Sequence, residues 1–204
     1  MRPRVLLATR SAGKLRELEP LFADAGFDAV TLDAAGIAES PDEEHLEEFA
    51  TFEENALAKA RWFRARVGDL PVVADDSGLE VAHLRGAPGV RTKRFSGRAD
   101  LKGQPLDDAN NATLLKALTG ANDRRARYVC VAAYVDAKGE RTFRGETGGR
   151  IVEAPRGTDG FGYDPYFLSD DLGVTFAEAD RVSKERVSHR GRAFAQLVNA
   201  LRRS

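Results

Sequence analysis

The stretch Val72-Val-Ala-Asp-Asp-Ser-Gly78 joins a short apolar run to two carboxylates, a hydroxyl and a glycine. The apolar run predicts a buried strand of a parallel or mixed sheet. Asp, Ser and Gly are common turn residues, so the strand is expected to end in a tight turn at residues 75–78. Ligands bind where the strands of open α/β sheets end, which makes a reactive strand tip the second interpretation. Side chains alternate along a strand, so only one of Asp75 and Asp76 faces a given site.

The segment before this stretch predicts strands that alternate with a helix. Residues 4–9 have the pattern of a first strand, and residues 27–32 that of an edge strand. A helix is expected to follow Lys14, with Pro20 kinking or breaking it because proline removes an internal hydrogen bond. Strand, short loop and helix are the opening of an α/β unit.

A second helix is predicted between the acidic segment and the central stretch. Residues 51–54 form a capping box, and the helix is expected to run to about Val67. Asn55 and Lys59 lie four residues apart on one face, which either points towards one pocket or is a solvated face. The rest of the chain predicts helices at 107–118 and 191–201 and a hairpin over 127–147. A chain of 204 residues with these elements predicts an α/β fold with a mixed central sheet flanked by helices, in one domain covering residues 1–204.

Charge and cysteine content exclude several classes of function. Lys and Arg total 31 against 32 for Asp and Glu, so no overall charge draws the chain to nucleic acid or to a membrane. Cys130 is the single cysteine, which excludes a disulfide within the chain, and its apolar neighbours predict a buried position. We see no apolar run long enough for a signal peptide or a bilayer span, so a cytoplasmic protein is expected.

The loop Thr9-Arg-Ser-Ala-Gly-Lys14 has the composition of a phosphate site. It supplies two hydroxyls, a lysine and backbone amides at the start of a helix, where the helix dipole favours an anion. It is not the standard P-loop, because Leu15 stands where Ser or Thr would bind magnesium. The other interpretation of the loop is ordinary helix capping by Ser11.

Carboxylates in two places suggest a metal beside such phosphates. Residues 39–54 are strongly acidic, and this run alone would predict a solvated loop. Mg2+ at a triphosphate binds a few carboxylates together with phosphate oxygens and water. Asp76 and one acid of the 39–54 run can supply those carboxylates, and a carboxylate beside the ion can deprotonate a water for attack on phosphorus.

Polar and aromatic residues near the carboxyl end suggest a nucleobase pocket. Phe161 and Tyr163 can stack on a base, while Lys184, His189 and Arg190 can read its hydrogen-bonding edge. Taken alone, His189 is also interpretable as a capping or surface residue.

Six motifs in order resemble the non-canonical purine NTP pyrophosphatases, the inosine triphosphatase or HAM1-like family. The resemblance covers nearly the whole chain, and the motifs that carry it are Thr9-Arg-Ser-Ala-Gly-Lys14, Thr51-Phe-Glu-Glu-Asn-Ala56, Ala74-Asp-Asp-Ser-Gly-Leu79, Gly86-Ala-Pro-Gly89, Gly160-Phe-Gly-Tyr-Asp-Pro165 and Ser188-His-Arg-Gly191.

This resemblance implies a dimeric, Mg2+-dependent cytoplasmic enzyme that hydrolyses ITP, dITP and XTP to the monophosphate and pyrophosphate. It also implies two lobes with the active-site cleft between them. Asp76 would be the general base, and Glu47 and Asp76 would bind the metal. The substrate-binding residues would be Thr9, Arg10, Ser11, Ala12, Gly13, Lys14, Ser77, Phe161, Gly162, Tyr163, Asp164, Lys184, His189 and Arg190.

Departures from the family pattern leave alternatives open. Glu47 is followed by Glu48 rather than Thr, so either glutamate can be the metal ligand, and Ser11 stands where the family usually has Asn. One alternative function is a Maf-like nucleotide pyrophosphatase of other base specificity. Another is a nucleotide- or nucleic-acid-binding protein without catalysis, which would use the basic residues 91–98 and 124–127.

Overall fold

The computed structural model of the protein describes residues 2–203 and contains six strands and five α-helices within them. The strands are β1 Arg4–Leu7, β2 Asp28–Thr31, β3 Val72–Val81, β4 Arg125–Asp136, β5 Gly139–Ile151 and β6 Phe167–Ser169. The helices are α1 Ala12–Asp24, α2 Phe52–Arg64, α3 Gln104–Ala117, α4 Arg181–Val187 and α5 His189–Arg202, with shorter 3-10 helices at Pro41–Glu47, Ala82–Leu84 and Gly89–Arg94. None of the helices found in residues 2–203 is both long and apolar enough to cross a membrane.

The strands form one mixed sheet in the order β2-β1-β3-β4-β5-β6. β1 pairs in parallel with β2 on one side, with Arg4 opposite Asp28, and with β3 on the other, with Leu6 opposite Val72. β5 pairs antiparallel with β6. Parallel neighbours in α/β proteins are joined through helices, and α1 and α2 supply these connections. The predicted α/β fold with a mixed sheet is confirmed, and β2 lies at the edge as expected.

The chain divides into two compact units with a hydrophobic core each. Within the described residues, unit 1 comprises 2–76, 130–144 and 193–203, and unit 2 comprises 77–129 and 145–192. The core of unit 1 includes Val5, Leu7, Leu18, Phe22, Val73, Cys130, Phe194 and Leu197. The core of unit 2 includes Leu79, Val81, Leu114, Tyr128, Ile151, Phe167 and Phe176. The burial expected for Cys130 is confirmed, whereas the single domain over 1–204 and the cleft between lobes stay predictions.

The turn predicted at residues 75–78 is wrong. β3 continues through Asp75, Asp76, Ser77 and Gly78 to Val81. The carboxylates of Asp75 and Asp76 are buried and receive hydrogen bonds or ion pairs from side chains of α1 and α2. These partners offset the cost of burying a charge in a strand, so tertiary contacts override the turn preference of the local sequence.

Of the two outcomes predicted at Pro20, a kink or a break, the break is wrong, because α1 runs from Ala12 to Asp24 with Pro20 inside it. A proline in a helix interior costs about 3 kcal/mol. Leu18 and Phe22, on either side of Pro20, are fully buried in the core of unit 1. Burying two such side chains contributes a comparable free energy, which keeps the helix continuous.

The acidic segment is structured rather than a solvated loop, which corrects the prediction for residues 39–54. Pro41–Glu47 forms a 3-10 helix that Ser40 and Glu43 start with a reciprocal capping box. Glu43 also accepts two hydrogen bonds from the guanidinium of Arg10, at 2.8 and 3.1 Å. This bidentate ion pair fixes the acidic segment beside the start of α1.

The start of α2 provides a stability test. Thr51 Oγ1 accepts a hydrogen bond from Glu54 N at 3.2 Å and donates one to Glu54 Oε2 at 2.8 Å. We expect Thr51→Ala to lower the free energy of unfolding by about 1 kcal/mol, because an orphan helix amide loses its acceptor. Urea denaturation of this variant beside Thr51→Ser measures the effect. The serine variant retains the hydroxyl, and a loss of the same size in both variants would contradict a capping role.

Candidate active site

Polar and charged side chains from three elements come together around Asp76, which lies at the middle of β3. α2 contributes Asn55 and Lys59, α1 contributes Lys14, and the 3-10 helix Pro41–Glu47 contributes its last residue, Glu47. We call this group, with Asp75, the carboxylate cluster. Its acids and lysines alternate in space, so each buried charge has an opposite charge near it.

Asp76 is a buried carboxylate whose neighbours act on it in opposite directions. Asn55 Nδ2 donates a hydrogen bond to Asp76 Oδ2 at 2.8 Å. Burial raises the pKa of Asp76, the charge of Lys59 opposes this, and the charge of Glu47 adds to it, so the net pKa is raised. A carboxylate with a raised pKa accepts a proton more readily than an exposed aspartate does.

Lys59 is a buried cation shared among three carboxylates. Its Nζ forms an ion pair with Glu47 Oε1 and donates a hydrogen bond to the backbone oxygen of Asp75 at 2.9 Å. Burial alone would lower the pKa of Lys59, but the negative charges of Glu47, Asp75 and Asp76 outweigh burial and raise it. Lys59 therefore stays charged.

Asp75 contacts different partners from Asp76, as expected for adjacent residues of a strand. Its Oδ2 pairs with Lys14 Nζ at 2.9 Å and accepts a weak hydrogen bond from Cys130 Sγ at 3.7 Å. The Asp75 side chain is 1% exposed. Asp75 therefore holds Lys14 in place beside the carboxylate cluster.

The two candidate glutamates lie in different surroundings. Glu47 pairs with the buried Lys59, whereas Glu48 pairs with His45 at 3.0 Å and is 59% exposed at the side chain. Glu47 is also close enough to Asp76 to raise its pKa. The geometry therefore favours Glu47 over Glu48 as the partner of Asp76.

The loop before α1 presents backbone amides at a helix start. Ser11 is the N-cap, and its Oγ accepts from Lys14 N at 3.4 Å, while Ser11 N donates to Thr9 Oγ1 at 3.2 Å. Ala12 and Gly13 precede the first helical bond, which Leu15 N donates to Ser11 O. Capping by Ser11 and an amide-lined anion site are thus compatible in one loop.

The side chain of Arg10 binds the acidic segment rather than the amide-lined anion site. Its guanidinium binds Glu43 and donates to the backbone oxygen of Ile37 at 2.9 Å. These bonds connect the loop to the acidic segment, so the side chain of Arg10 has a structural function whatever its backbone contacts.

The donors of the carboxylate cluster fit a magnesium ion at a triphosphate. Asp76 and Glu47 offer oxygen ligands only. Burial raises the pKa of Asp76 and the negative charge of Glu47 adds to this rise, so a bound cation would stabilise the ionised carboxylates. Residues 2–203 contain no group of three or more His, Cys, Asp or Glu side chains that could hold a metal. Mg2+ at a triphosphate needs only one or two carboxylates, because phosphate oxygens and water complete its shell.

A second group of polar side chains lies in unit 2 around Asp164, and we call it the Asp164 cluster. Asp164 Oδ2 pairs with Lys184 Nζ at 2.8 Å and accepts from Phe161 N at 2.9 Å. Lys184 Nζ lies 5.5 Å and Arg190 Cζ 5.7 Å from the centre of the Phe161 ring. The cluster therefore combines a half-buried aromatic ring with two cationic hydrogen-bond donors.

His189 and Arg190 begin α5 and are both buried. The His189 ring stacks on Tyr128, with ring centres 4.5 Å apart and planes within 7°. Arg190 donates to Ser77 Oγ at 2.9 Å. Their burial excludes the interpretation of His189 as a surface residue.

Tyr163 differs from the role predicted for it. Its ring is buried in the core of unit 2, and its hydroxyl donates to the backbone oxygen of Thr92 at 2.8 Å. Phe161 is therefore the ring of this loop that is available for stacking. Tyr163 therefore anchors the loop of Phe161 to the core of unit 2.

No role was predicted for Asn55, Lys59 or Tyr128, although one interpretation had Asn55 and Lys59 face the same pocket. The four-residue spacing of Asn55 and Lys59 was a usable signal, because the capping box at residue 51 fixes which face of α2 they share. Tyr128 gave no such signal, because it begins the apolar run of residues 128–135, where a tyrosine is an ordinary core residue.

Comparisons with known proteins agree on one family. The Ham1 family model matches residues 5–200. The dITP/XTP pyrophosphatase of Burkholderia pseudomallei is 48% identical over 203 residues, which is 98% of this chain and 94% of that protein. The dITP/XTP pyrophosphatase of Ralstonia nicotianae is 47% identical over 203 residues, with 98% and 96% covered.

Solved structures give the same result. The chain resembles a HAM1 protein from Coxiella burnetii with a TM-score of 0.82 and 34% identity, covering 99% of this chain and 100% of that one. It resembles a nucleoside-triphosphatase, a dITP/XTP pyrophosphatase, from Mycobacterium abscessus with a TM-score of 0.71 and 39% identity, covering 95% and 98%. Both similarities extend over nearly the full length.

Proposed function

Because the chain belongs to the Ham1 family, we propose that its two clusters divide the work on one nucleotide, with the carboxylate cluster acting on the triphosphate and the Asp164 cluster on the base. The chain is a dITP/XTP pyrophosphatase and hydrolyses non-canonical purine nucleoside triphosphates. The observation that carries the division is the buried Asp76 carboxylate, which lies next to Glu47, Asn55 and two lysines. The products of this reaction would be the monophosphate and pyrophosphate.

Asp76 and Glu47 would hold Mg2+. When bound, the ion would neutralise phosphate charge and lower the pKa of a water. Asp76 would accept the proton of the attacking water, which its raised pKa favours. Asn55 orients the carboxylate through its hydrogen bond to Oδ2, which would leave the proton-accepting role to the other oxygen.

The cations around these acids would bind the triphosphate. Lys14 pairs with Asp75, Lys59 lies beside Asp75 and Asp76, and the first-turn amides of α1 add donors for phosphate oxygens. The loop from Thr9 to Lys14 would therefore hold the phosphates through its backbone and hydroxyls, with Arg10 as a structural link.

The Asp164 cluster would select the base. Phe161 would stack on the purine, and Lys184, His189 and Arg190 would donate to the oxygen at its position 6. Adenine carries an amino donor at that position, which cannot accept the hydrogen bonds that these side chains would donate to an oxygen. A site built around such donors rejects the mismatched base by orders of magnitude in rate.

We also propose a homodimer that acts in the cytoplasm, without nucleic acid or membrane as a partner. The near-zero net charge of −1 favours neither of these polyanionic surfaces. Light scattering during size-exclusion chromatography checks the assembly, and we expect twice the chain mass of 22.2 kDa.

Water labelled with heavy oxygen tests the proposed reaction. Attack on the α-phosphorus places the label in the nucleoside monophosphate and leaves the pyrophosphate unlabelled. Label in the pyrophosphate, or orthophosphate as the first product, would contradict the proposal. Omitting Mg2+ from the same assay should stop the reaction.

A pair of glutamate variants tests the metal site. We expect Glu47→Gln to raise the Mg2+ concentration needed for half-maximal rate by at least about tenfold, because the amide is a poorer ligand. Glu48→Gln is the matched control, since Glu48 is exposed and pairs with His45. Equal shifts in both variants, or a shift in Glu48→Gln alone, would contradict the assignment.

A further inference from the structure

Helix α3 forms hydrogen bonds with both the backbone N–H and the backbone oxygen of Gly162, in the loop that contains Phe161. Gly162 N donates to Asp107 Oδ2 at 2.8 Å, and Asn111 Nδ2 donates to Gly162 O at 2.9 Å. Asp107 and Asn111 lie four residues apart, on the same face of α3. A single peptide segment is thus fixed in position and in orientation by two side chains of a rigid helix.

Gly162 lies in the loop that contributes Phe161 and Asp164 to the Asp164 cluster. Gly162 is flanked by Phe161 and Tyr163 and has a φ of +65°, which favours glycine. Phe161 N donates to the Asp164 carboxylate, so the loop closes on itself around Gly162. A shift of Gly162 would therefore move the Phe161 ring and the Asp164 carboxylate together.

The two hydrogen bonds from Asp107 and Asn111 to Gly162, which we call the clamp, have a cost in stability. Asn111 is 5% exposed, and its Oδ1 has no hydrogen-bond partner in the part of the chain that the structure describes. An unsatisfied buried oxygen destabilises a fold, so an apolar residue would suit this position better for stability alone. Asp107 is also partly buried, and burial raises its pKa. Local departures of this kind are found where a residue serves function.

We propose that Asp107 and Asn111 are positioning residues that set the base selectivity of the enzyme by holding the Gly162 segment. This inference rests on the proposed role of the Asp164 cluster in base recognition. Misplacing a recognition group by about 1 Å can cost about 100-fold in rate. Release of Gly162 should weaken the contacts made to the preferred base and lower hydrolysis of ITP more than hydrolysis of ATP.

The test compares kcat/KM for ITP and ATP in wild type, Asp107→Ala, Asn111→Ala and Asp107→Asn. The two alanine variants should lower kcat/KM on ITP by about 10- to 100-fold, mostly through KM, with a smaller loss on ATP. Asp107→Asn retains an acceptor for Gly162 N and should stay within about threefold of wild type. Asp108→Ala is the matched control, because Asp108 is exposed on the same helix and accepts a hydrogen bond from the exposed Gln104 at 2.8 Å.

Each result has a defined meaning. Equal losses on ITP and ATP, or an unchanged ratio in both alanine variants, would overturn the inference while the proposed function stands. A wild type without preference for ITP over ATP would overturn both. Asn111→Ala removes the unsatisfied oxygen as well as one bond, so it should fold even where Asp107→Ala does not, and thermal unfolding of each variant checks this.

Discussion

Replacing Asp76 with Asn is expected to slow ITP hydrolysis by about 10²- to 10⁴-fold and to leave nucleotide binding largely intact. The amide is the same size as the carboxylate and can still accept from Asn55 Nδ2, so the local structure should survive. The amide cannot accept a proton from water at neutral pH. Single-turnover rates measure the loss, and equilibrium titration of the inactive variant with ITP measures binding.

Two results would contradict the role of Asp76. A rate within about tenfold of wild type would exclude it as the general base, because base catalysis contributes more than that. A complete loss of ITP binding would place its function in substrate affinity instead. Glu48→Gln controls for removal of one negative charge from the same region, since Glu48 is exposed.

Replacing Lys184 with Met is expected to lower the free energy of unfolding by about 3–5 kcal/mol. The Lys184 and Asp164 side chains are 11% and 5% exposed and pair at 2.8 Å. Removing the lysine leaves a buried carboxylate without its main counter-charge, which costs far more than losing an exposed pair. Urea denaturation with a two-state fit gives the difference.

A double variant and a matched control separate charge from packing. Lys184→Met combined with Asp164→Asn should recover much of the loss, because the buried charge is removed and an acceptor for Phe161 N remains. Arg181→Met, on the same helix, breaks an exposed pair with Glu185 at 3.5 Å and should change stability by about 0.5 kcal/mol or less. A Lys184→Met loss no larger than that control would contradict a buried ion pair.

The layout of helices and strands was predictable because apolar periodicity reports which side of each element is buried. The strand at residues 4–9, the edge strand and the start of α2 all followed from local pattern and capping residues. The course of β3 did not, because the local preference of Asp75 to Gly78 is for a turn. What keeps these residues in the strand is a set of partners up to 113 positions away, including Lys14 for Asp75 and Arg190 for Ser77. The local sequence pattern does not indicate contacts with residues so far away in the chain.

The candidate site was predictable in composition more than in detail. The motifs identified the acids and cations, but Arg10 and Tyr163 have other partners than expected. A side chain's partner depends on rotamer and packing, which residue type does not determine. The clamp on Gly162 is a further case, because Asp107 lies 55 residues from the residue that it holds.

Pyrophosphate release from ITP, XTP, ATP and dTTP, each with and without Mg2+, tests most directly whether this chain selects deaminated purines through these two clusters. The account predicts fast, Mg2+-dependent release from ITP and XTP, and rates on ATP and dTTP lower by orders of magnitude. Equal rates on ATP and ITP, or release that persists without a metal, would contradict it.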